Sequence, residues 1–280
     1  MTVLQAIVLG ITQGLTEFAP VSSSGHLILV PWLFGWKVLE DPALNKTFDV
    51  ALHLGTLAGA VVYFRTDLAR YLTAFVRSVG ARRIDGTDTR IAWALVIGTV
   101  PGAIAGATLE GWIQERLGAP ILVAAMLVVF GVVLVLVDRR APVTRRVEDV
   151  SLRDGAILGV AQAIALQPGV SRSGITIAAA RLLGLDREGA ARVSFLLSLP
   201  IIAGAGLYKG LDVLRDGLPA GMAAPFAAGI VAAAVSGFLV IWFLLSYLRR
   251  HAFTAFLWYR VAVAVIVLAA IASGARGATV

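Results

Sequence analysis

Hydrophobic residues run along this chain in long blocks, not in strand-like alternation and not as a one-sided helical stripe. Five blocks qualify as spanning helices: Ile91–Leu109, Pro120–Val137, Ser194–Leu211, Met222–Leu248 and Phe253–Ala272. A span needs roughly 20 predominantly apolar residues, with about 17–25 the usual range. A sixth block, Val50–Phe64, is short but reaches that length if its helix begins a turn earlier, at Thr47. Two further apolar stretches are interrupted. Thr2–Trp36 is broken by Glu17, Pro20, the run Ser22-Ser23-Ser24-Gly25 and His26, and Gly155–Leu185 by Gln167, Pro168, Gly169, the run Ser171-Arg172-Ser173-Gly174 and Thr176. Irregular backbone and charge persist at bilayer depth only when buried in protein or lining a wet cavity. Both stretches are therefore predicted to be re-entrant helix–loop–helix pairs. The expected fold is an all-α polytopic membrane protein of six transmembrane helices plus two such pairs.

Composition agrees. Charged residues make up 15% and apolar residues 59% of the 280 positions, and the mean hydropathy is +0.87. Soluble domains carry about 25% charged residues, so this is a membrane composition. The absence of Cys removes disulfides, thiolate chemistry and Cys-type metal sites. Met1-Thr2-Val3-Leu4-Gln5 has no basic region, and no small-residue cleavage signature follows, so no removable signal is expected.

Charge sets the expected orientation. Arg65–Arg90 holds six Arg against three Asp, and Asp138–Arg153 five Arg against three acids. Leu185–Arg192 and Arg249–Arg260 are basic too, whereas Lys37–Asp49, Glu110–Gly118 and Lys209–Gly217 are mixed or mildly acidic. With all four basic loops in the cytoplasm the spans thread without contradiction and both termini lie outside. The net charge of +7 then needs no nucleic-acid partner; the basic loops read as orientation signals and contacts for anionic lipid.

The two broken stretches are related. A shift of 149 residues matches Gly10 with Gly159, Gln13 with Gln162, Val21 with Val170, and Ser22, Ser24 and Gly25 with Ser171, Ser173 and Gly174. Each half is one re-entrant pair followed by three spans. Three is odd, so the second half (149–280) is expected to be inverted relative to the first (1–148) within one membrane domain, 1–280. Inverted repeats bring broken helices together near the midplane with their N-termini facing what binds there.

Those loops carry the candidate chemistry. Gln13 and Glu17 are spaced i,i+4, so one helical face presents both. Pro20 stops that helix, and Ser22 or Ser23 can cap the next. A helix start offers backbone N–H groups and the positive end of a dipole, which favour phosphate. Ser23 and His26, i,i+3, have the spacing of a hydroxyl and its base. The second loop repeats the design and adds Arg172, whose planar donor fork suits phosphate oxygens. Gln13, Ser22, Ser24, Ser171, Ser173 and Thr176 are candidate phosphate-binding residues, with Ser22 and Ser24 also candidate caps.

At these residues the chain resembles a known family. Gln13-x-x-x-Glu17 followed by Pro20-Val-Ser-Ser-Ser-Gly-His26 is similar to the (E/Q)xxxE and PVSS-x-GH signature of the undecaprenyl pyrophosphate phosphatases, the bacitracin-resistance proteins. Pro168-Gly-Val-Ser-Arg-Ser-Gly-Ile-Thr176 is similar to that family's PGxSRSxxT motif, and Ser194-Phe-Leu-Leu-Ser-Leu-Pro200 to its SFLLSxP stretch. Gln13 takes the less acidic option of the first motif. The resemblance implies hydrolysis of undecaprenyl diphosphate on the outer side of the bacterial cytoplasmic membrane, recycling the carrier for peptidoglycan synthesis and conferring bacitracin resistance. It also implies Glu17, Ser23, His26 and Arg172 as catalytic residues and a divalent cation, Mg2+ or Ca2+, near Glu17.

Other classes fit less well. A polyprenyl-phosphate transporter or flippase would share inverted repeats and broken helices, yet has no use for a Ser–His pair. A membrane-embedded protease could use that pair, but Arg172 and two helix N-termini suit phosphate better than a peptide carbonyl. His53 lies outside both matched loops and reads as structural. Trp32, Trp36, Trp112 and Tyr259 fall near predicted span ends and read as interface anchors.

Overall fold

A backbone in lipid has to satisfy its own N–H and C=O groups, and the apolar blocks accordingly become helices. The computed structural model describes residues 1–36 and 42–278, and among these it contains no strand beyond one isolated bridge between Arg145 and Leu185. The helices are α1 (Val3–Phe18), α2 (Ser23–Phe34), α3 (Pro42–Tyr63), α4 (Arg65–Ala81), α5 (Thr87–Leu117), α6 (Pro120–Arg140), α7 (Leu152–Ile164), α8 (Arg172–Leu182), α9 (Arg187–Asp216), α10 (Ala223–Leu248) and α11 (Thr254–Ala272). Five of them, α5, α6, α9, α10 and α11, are long and apolar enough to cross a membrane. The count becomes six if α3 and α4, bent by 87° at their junction, make one broken span.

The expected span positions hold, with ends that run further into charged sequence. α9 starts at Arg187, where Asp186 caps the helix by accepting from the Gly189 N–H. One expectation is corrected. Most of the basic segment Arg65–Arg90 is not a loop but the helix α4. Its Leu68, Tyr71 and Phe75 pack on the main core while its arginines face outward or pair with acids, a one-sided pattern that a scan for uniform hydrophobicity overlooks. Of the expected Lys37–Asp49 loop, 37–41 lie outside the described residues and 42–49 open α3, and the expected loops Glu110–Gly118 and Lys209–Gly217 are likewise helical, as the last turns of α5 and α9.

Both interrupted stretches are broken helices, α1 then α2 and α7 then α8. Each first helix lies on a helix from the other half of the chain, α1 on α10 and α7 on α5. These contacts are close because glycine makes them so. A Cβ on Gly10 would collide with the Gly229 carbonyl, and one on Gly155 with the Ala94 carbonyl. Small residues that let backbones approach replace the missing hydrophobic drive between helices in lipid.

The core centres on α9, where Phe18, Phe64, Phe195 and Phe253 are buried together. Outside it, large apolar side chains such as Ile104, Leu207, Trp242 and Trp258 are exposed, as a lipid-facing surface requires. The basic loops meet at one end of the bundle. One cavity there is lined by residues including Asp67, Asp88, Arg146 and Arg192, and its neighbour by Asp138, Arg187 and Arg249, with Asp186 and Glu188 shared. Many of these arginines are committed within the protein: Arg181 and Arg187 to Asp138 at 3.0 and 2.9 Å, Arg249 to Glu188 at 2.8 Å, and Arg192 to Asp67.

Candidate active site between two broken helices

Both loops break in the same way. α1 ends at Phe18 because Pro20 cannot continue it, and Ser22 then takes φ 74° as the N-cap of α2. In the second loop Gly169 turns at φ 95° and Ser171 takes φ 76° as the N-cap of α8. Positive φ is uncommon outside glycine, and of the three non-glycine cases among the described residues two are this matched pair. Such a backbone costs of order 1–3 kcal/mol and persists only where its surroundings over-determine it.

Cross-loop hydrogen bonds supply that constraint. Ser22 Oγ accepts from the Gly25 N–H at 3.3 Å and from the Gly169 N–H of the other loop at 3.0 Å. Ser171 Oγ accepts from the Gly174 N–H at 3.1 Å, and Ser173 Oγ donates to the Ala19 carbonyl at 3.0 Å. Over both loops lies Arg260 of α11, fully buried. Its guanidinium donates to the carbonyls of Pro20 at 2.7 Å, Leu127 at 3.2 Å and Val170 at 3.4 Å.

The two helix starts meet on Glu17, whose side chain is 2% exposed. Arg172, from the second loop, is hydrogen-bonded and ion-paired to its Oε1. Its Oε2 accepts from Ser23 Oγ at 2.6 Å and from Gln13 Nε2 at 2.8 Å, and lies 3.4 Å from His53 Nε2. Ser23 and Arg172, 149 positions apart, thus share one buried carboxylate. Gln13 Oε1, also buried, has no hydrogen-bond partner among the described residues.

The expected site residues sort by access. Ser23, Ser24 and Arg172 are half-buried and reach the surface of the site, whereas Gln13, Glu17, Ser22, His26, Ser171, Ser173 and Thr176 are buried. The hydroxyls of Ser171 and Ser173 are spent on capping and cross-loop bonds. That of Thr176 donates to the Arg172 carbonyl at 2.7 Å and lies 2.6 Å from Ser194 Oγ. These three shape the loop that presents Arg172.

The spacing argument for a Ser23–His26 pair is corrected. Ser23 donates to Glu17, while His26 Nδ1 faces the Ser22 carbonyl at 2.7 Å and Nε2 the Tyr259 hydroxyl at 2.9 Å. Residues i and i+3 share a helical face, but the carboxylate ending the preceding helix reaches Ser23 first.

Three side chains at the site were read otherwise from sequence. His53, assigned a structural role, touches Glu17; an ionisable residue deep in an apolar block was the available signal. Arg260, grouped with a basic loop, is buried inside α11, where the same rule applied. Tyr259, assigned to the interface, holds His26, and nothing in one sequence distinguishes it from an anchor. Trp32 is likewise buried, its indole donating to the Gly277 carbonyl at 3.1 Å.

Arg260 carries an expectation of its own. Arg260→Met would leave the Pro20 and Val170 carbonyls without this donor, at about 1–3 kcal/mol for each buried unsatisfied group. A lower thermal midpoint in detergent and a loss of turnover are expected, with Arg260→Lys rescuing little because one ammonium cannot fork to three carbonyls. A Met variant with wild-type midpoint and turnover would remove Arg260 from this role.

The family profile described as bacitracin resistance protein BacA matches residues 6–266. A protein of Geobacter sulfurreducens named undecaprenyl-diphosphatase is 49% identical over 271 residues, 96% of this chain and 98% of that one. Equally named proteins of Desulforudis audaxviator and Pelobacter propionicus are 48% and 44% identical, covering 96% and 99% of this chain and 97% and 100% of theirs. With a profile matched over residues 6–266 and relatives of this identity and coverage, the chain belongs to the bacitracin resistance protein BacA family.

Proposed function

We propose that the chain is an undecaprenyl-diphosphate phosphatase, hydrolysing the lipid diphosphate to undecaprenyl phosphate and inorganic phosphate. The observation that carries the chemistry is Glu17, held by Ser23 of one helix start and Arg172 of the other. An incoming diphosphate competes for Arg172. Once the guanidinium turns to phosphate, Glu17 loses its counter-ion in a buried site and becomes a stronger base, with the Ser23 hydroxyl already donating to it. The helix starts at Ser23 and Arg172 place N–H groups and dipoles against the same phosphate.

Ser23 attacks the terminal phosphorus, Glu17 takes its proton, and the anhydride P–O bond breaks to release the lipid monophosphate. Water then attacks the phosphoserine phosphorus and gives a proton to His26, the Ser23 Oγ–P bond breaks, Glu17 returns its proton to Ser23, and inorganic phosphate leaves. In the alternative route Ser23 orients a water that attacks directly, with the same proton acceptors. Gln13 and Glu17 are the residues that would hold a divalent cation, Mg2+ or Ca2+. The unpartnered Gln13 Oε1 is one hard oxygen, the Glu17 oxygens are engaged by Arg172, Ser23 and Gln13, and no cluster of three or more His, Asp or Glu lies among the described residues, so a cation here would take most of its ligands from the substrate phosphate and water. When bound, the cation would neutralise phosphate charge.

The fold reading goes with this function. The pairs α1–α2 and α7–α8 are re-entrant in this reading, within an inverted repeat of 1–148 and 149–280, supported by the exchange in which α1 lies on α10 and α7 on α5. The end where the basic loops gather is assigned to the cytoplasm. The site then opens to the outer face of the cytoplasmic membrane, where recycling of the carrier serves peptidoglycan synthesis and bacitracin resistance. A transporter reading is not favoured, because a carrier has no use for a serine hydroxyl donated to a buried carboxylate.

The test is phosphate release from undecaprenyl diphosphate by purified protein in detergent, with and without a chelator. Ser23→Ala is expected to lower turnover by about 10²–10⁴-fold, and a phosphoserine at position 23 trapped by acid quench would select the covalent route. Near-normal release by Ser23→Ala excludes it.

A further inference from the structure

Hydrogen-bond logic at His26 assigns a role to Tyr259. His26 Nδ1 is 2.7 Å from the Ser22 carbonyl oxygen. A carbonyl can only accept, so Nδ1 bears a hydrogen in either charge state of the ring. A neutral imidazole therefore has its lone pair on Nε2, and Nε2 is 2.9 Å from the Tyr259 hydroxyl, which must then be the donor. The phenol lies nearly parallel to the imidazole, with ring centroids 5.6 Å apart and 13° between planes. His26 is 5% exposed and Tyr259 45%, so the phenol is the accessible neighbour of the buried base nitrogen.

We propose that Tyr259 is the positioning residue of His26, its hydroxyl donating to Nε2 so that the resting imidazole is kept neutral and in the Nδ1–H form. The inference rests on His26 as the proton acceptor of the phosphatase reading above. Of the charged groups on the elements around α2, Arg260 of α11 donates to backbone carbonyls while its charge also acts on His26, and Arg276 beyond α11 donates to the Leu33 carbonyl. Glu17 of α1 is held by Ser23, Gln13, Arg172 and His53. Asp138, towards the far end of α6, pairs with Arg181 and Arg187. Nothing else among the described side chains is hydrogen-bonded to the ring of His26.

The sign of the effect follows. A base must be unprotonated, so turnover falls as pH drops, and a donor on Nε2 opposes protonation of the ring. Tyr259→Phe keeps the stacked ring and removes that donor. Its acid limb is expected to move to higher pH by about 0.5–1 unit, with kcat lower by roughly tenfold and KM within about twofold. A 3-fluorotyrosine at position 259, a stronger donor of nearly the same shape, is expected to move the limb the other way. The experiment is the pH profile of phosphate release from undecaprenyl diphosphate by the full chain in detergent, with His26→Ala run in parallel. Acid limbs unchanged in both Tyr259 variants overturn the inference. If Tyr259→Phe does not fold, as judged by its elution profile and thermal midpoint, the fluorinated variant decides alone. Full release by His26→Ala would instead overturn the role of His26 itself, so the two failures are told apart.

Discussion

Replacing Arg172 with alanine is expected to lower kcat/KM for phosphate release by about 10³-fold, roughly 4 kcal/mol of transition-state stabilisation. The guanidinium is half-buried, so that it reaches the surface of the site, and it is ion-paired to the buried carboxylate there. An arginine that clamps a transferring phosphoryl group supplies charge and a bidentate geometry together. Arg172→Lys is expected to recover no more than about tenfold, since a point charge cannot reproduce the fork. The alanine variant also strips Glu17 of its counter-ion, and breaking a buried pair from one side costs about 3–5 kcal/mol. The double variant Arg172→Ala with Glu17→Gln separates the two effects: its thermal midpoint should return towards wild type while turnover stays lost. Turnover of Arg172→Ala within tenfold of wild type would remove the clamp from the mechanism.

Glu17→Gln should behave in the opposite way towards substrate. The amide keeps the shape and can still pair with Ser23 and Gln13, but it cannot accept a proton. A fall in kcat of about 10²–10³-fold is expected. KM should stay level or fall, because Arg172 no longer has to leave an anion before it engages phosphate. Steady-state kinetics at several substrate concentrations read this split directly. If KM rises with kcat untouched, Glu17 is only a strut between the loops and the proton acceptor lies elsewhere.

The two variants probe one feature from its two ends, and it has a parallel in the chain. The 149-residue shift that superimposes Ser22 on Ser171 and Gly25 on Gly174 also superimposes Ser23 on Arg172, and Glu17 on Leu166. The same backbone device, an N-cap serine at positive φ opening a short helix, thus presents a hydroxyl in one half and a guanidinium in the other. The carboxylate needed by both is present once, between them.

The sequence by itself determined the helical class, the positions of the five long spans, both helix breaks and the membership of Glu17, Ser23 and Arg172 in one site. Block length, proline, and charge at bilayer depth are local signals, and lipid enforces them because it tolerates no unpaired backbone. Only the tertiary structure decided who pairs with whom. Ser23 donates to Glu17, not to His26, because α1 ends beside the start of α2, a relation between two helices that i,i+3 spacing within one of them cannot express. Tyr259, Arg260 and His53 joined the site for the same reason. Each lies far along the chain from the loop it touches, and such contacts are set by how α11 and α3 pack, which no local pattern encodes.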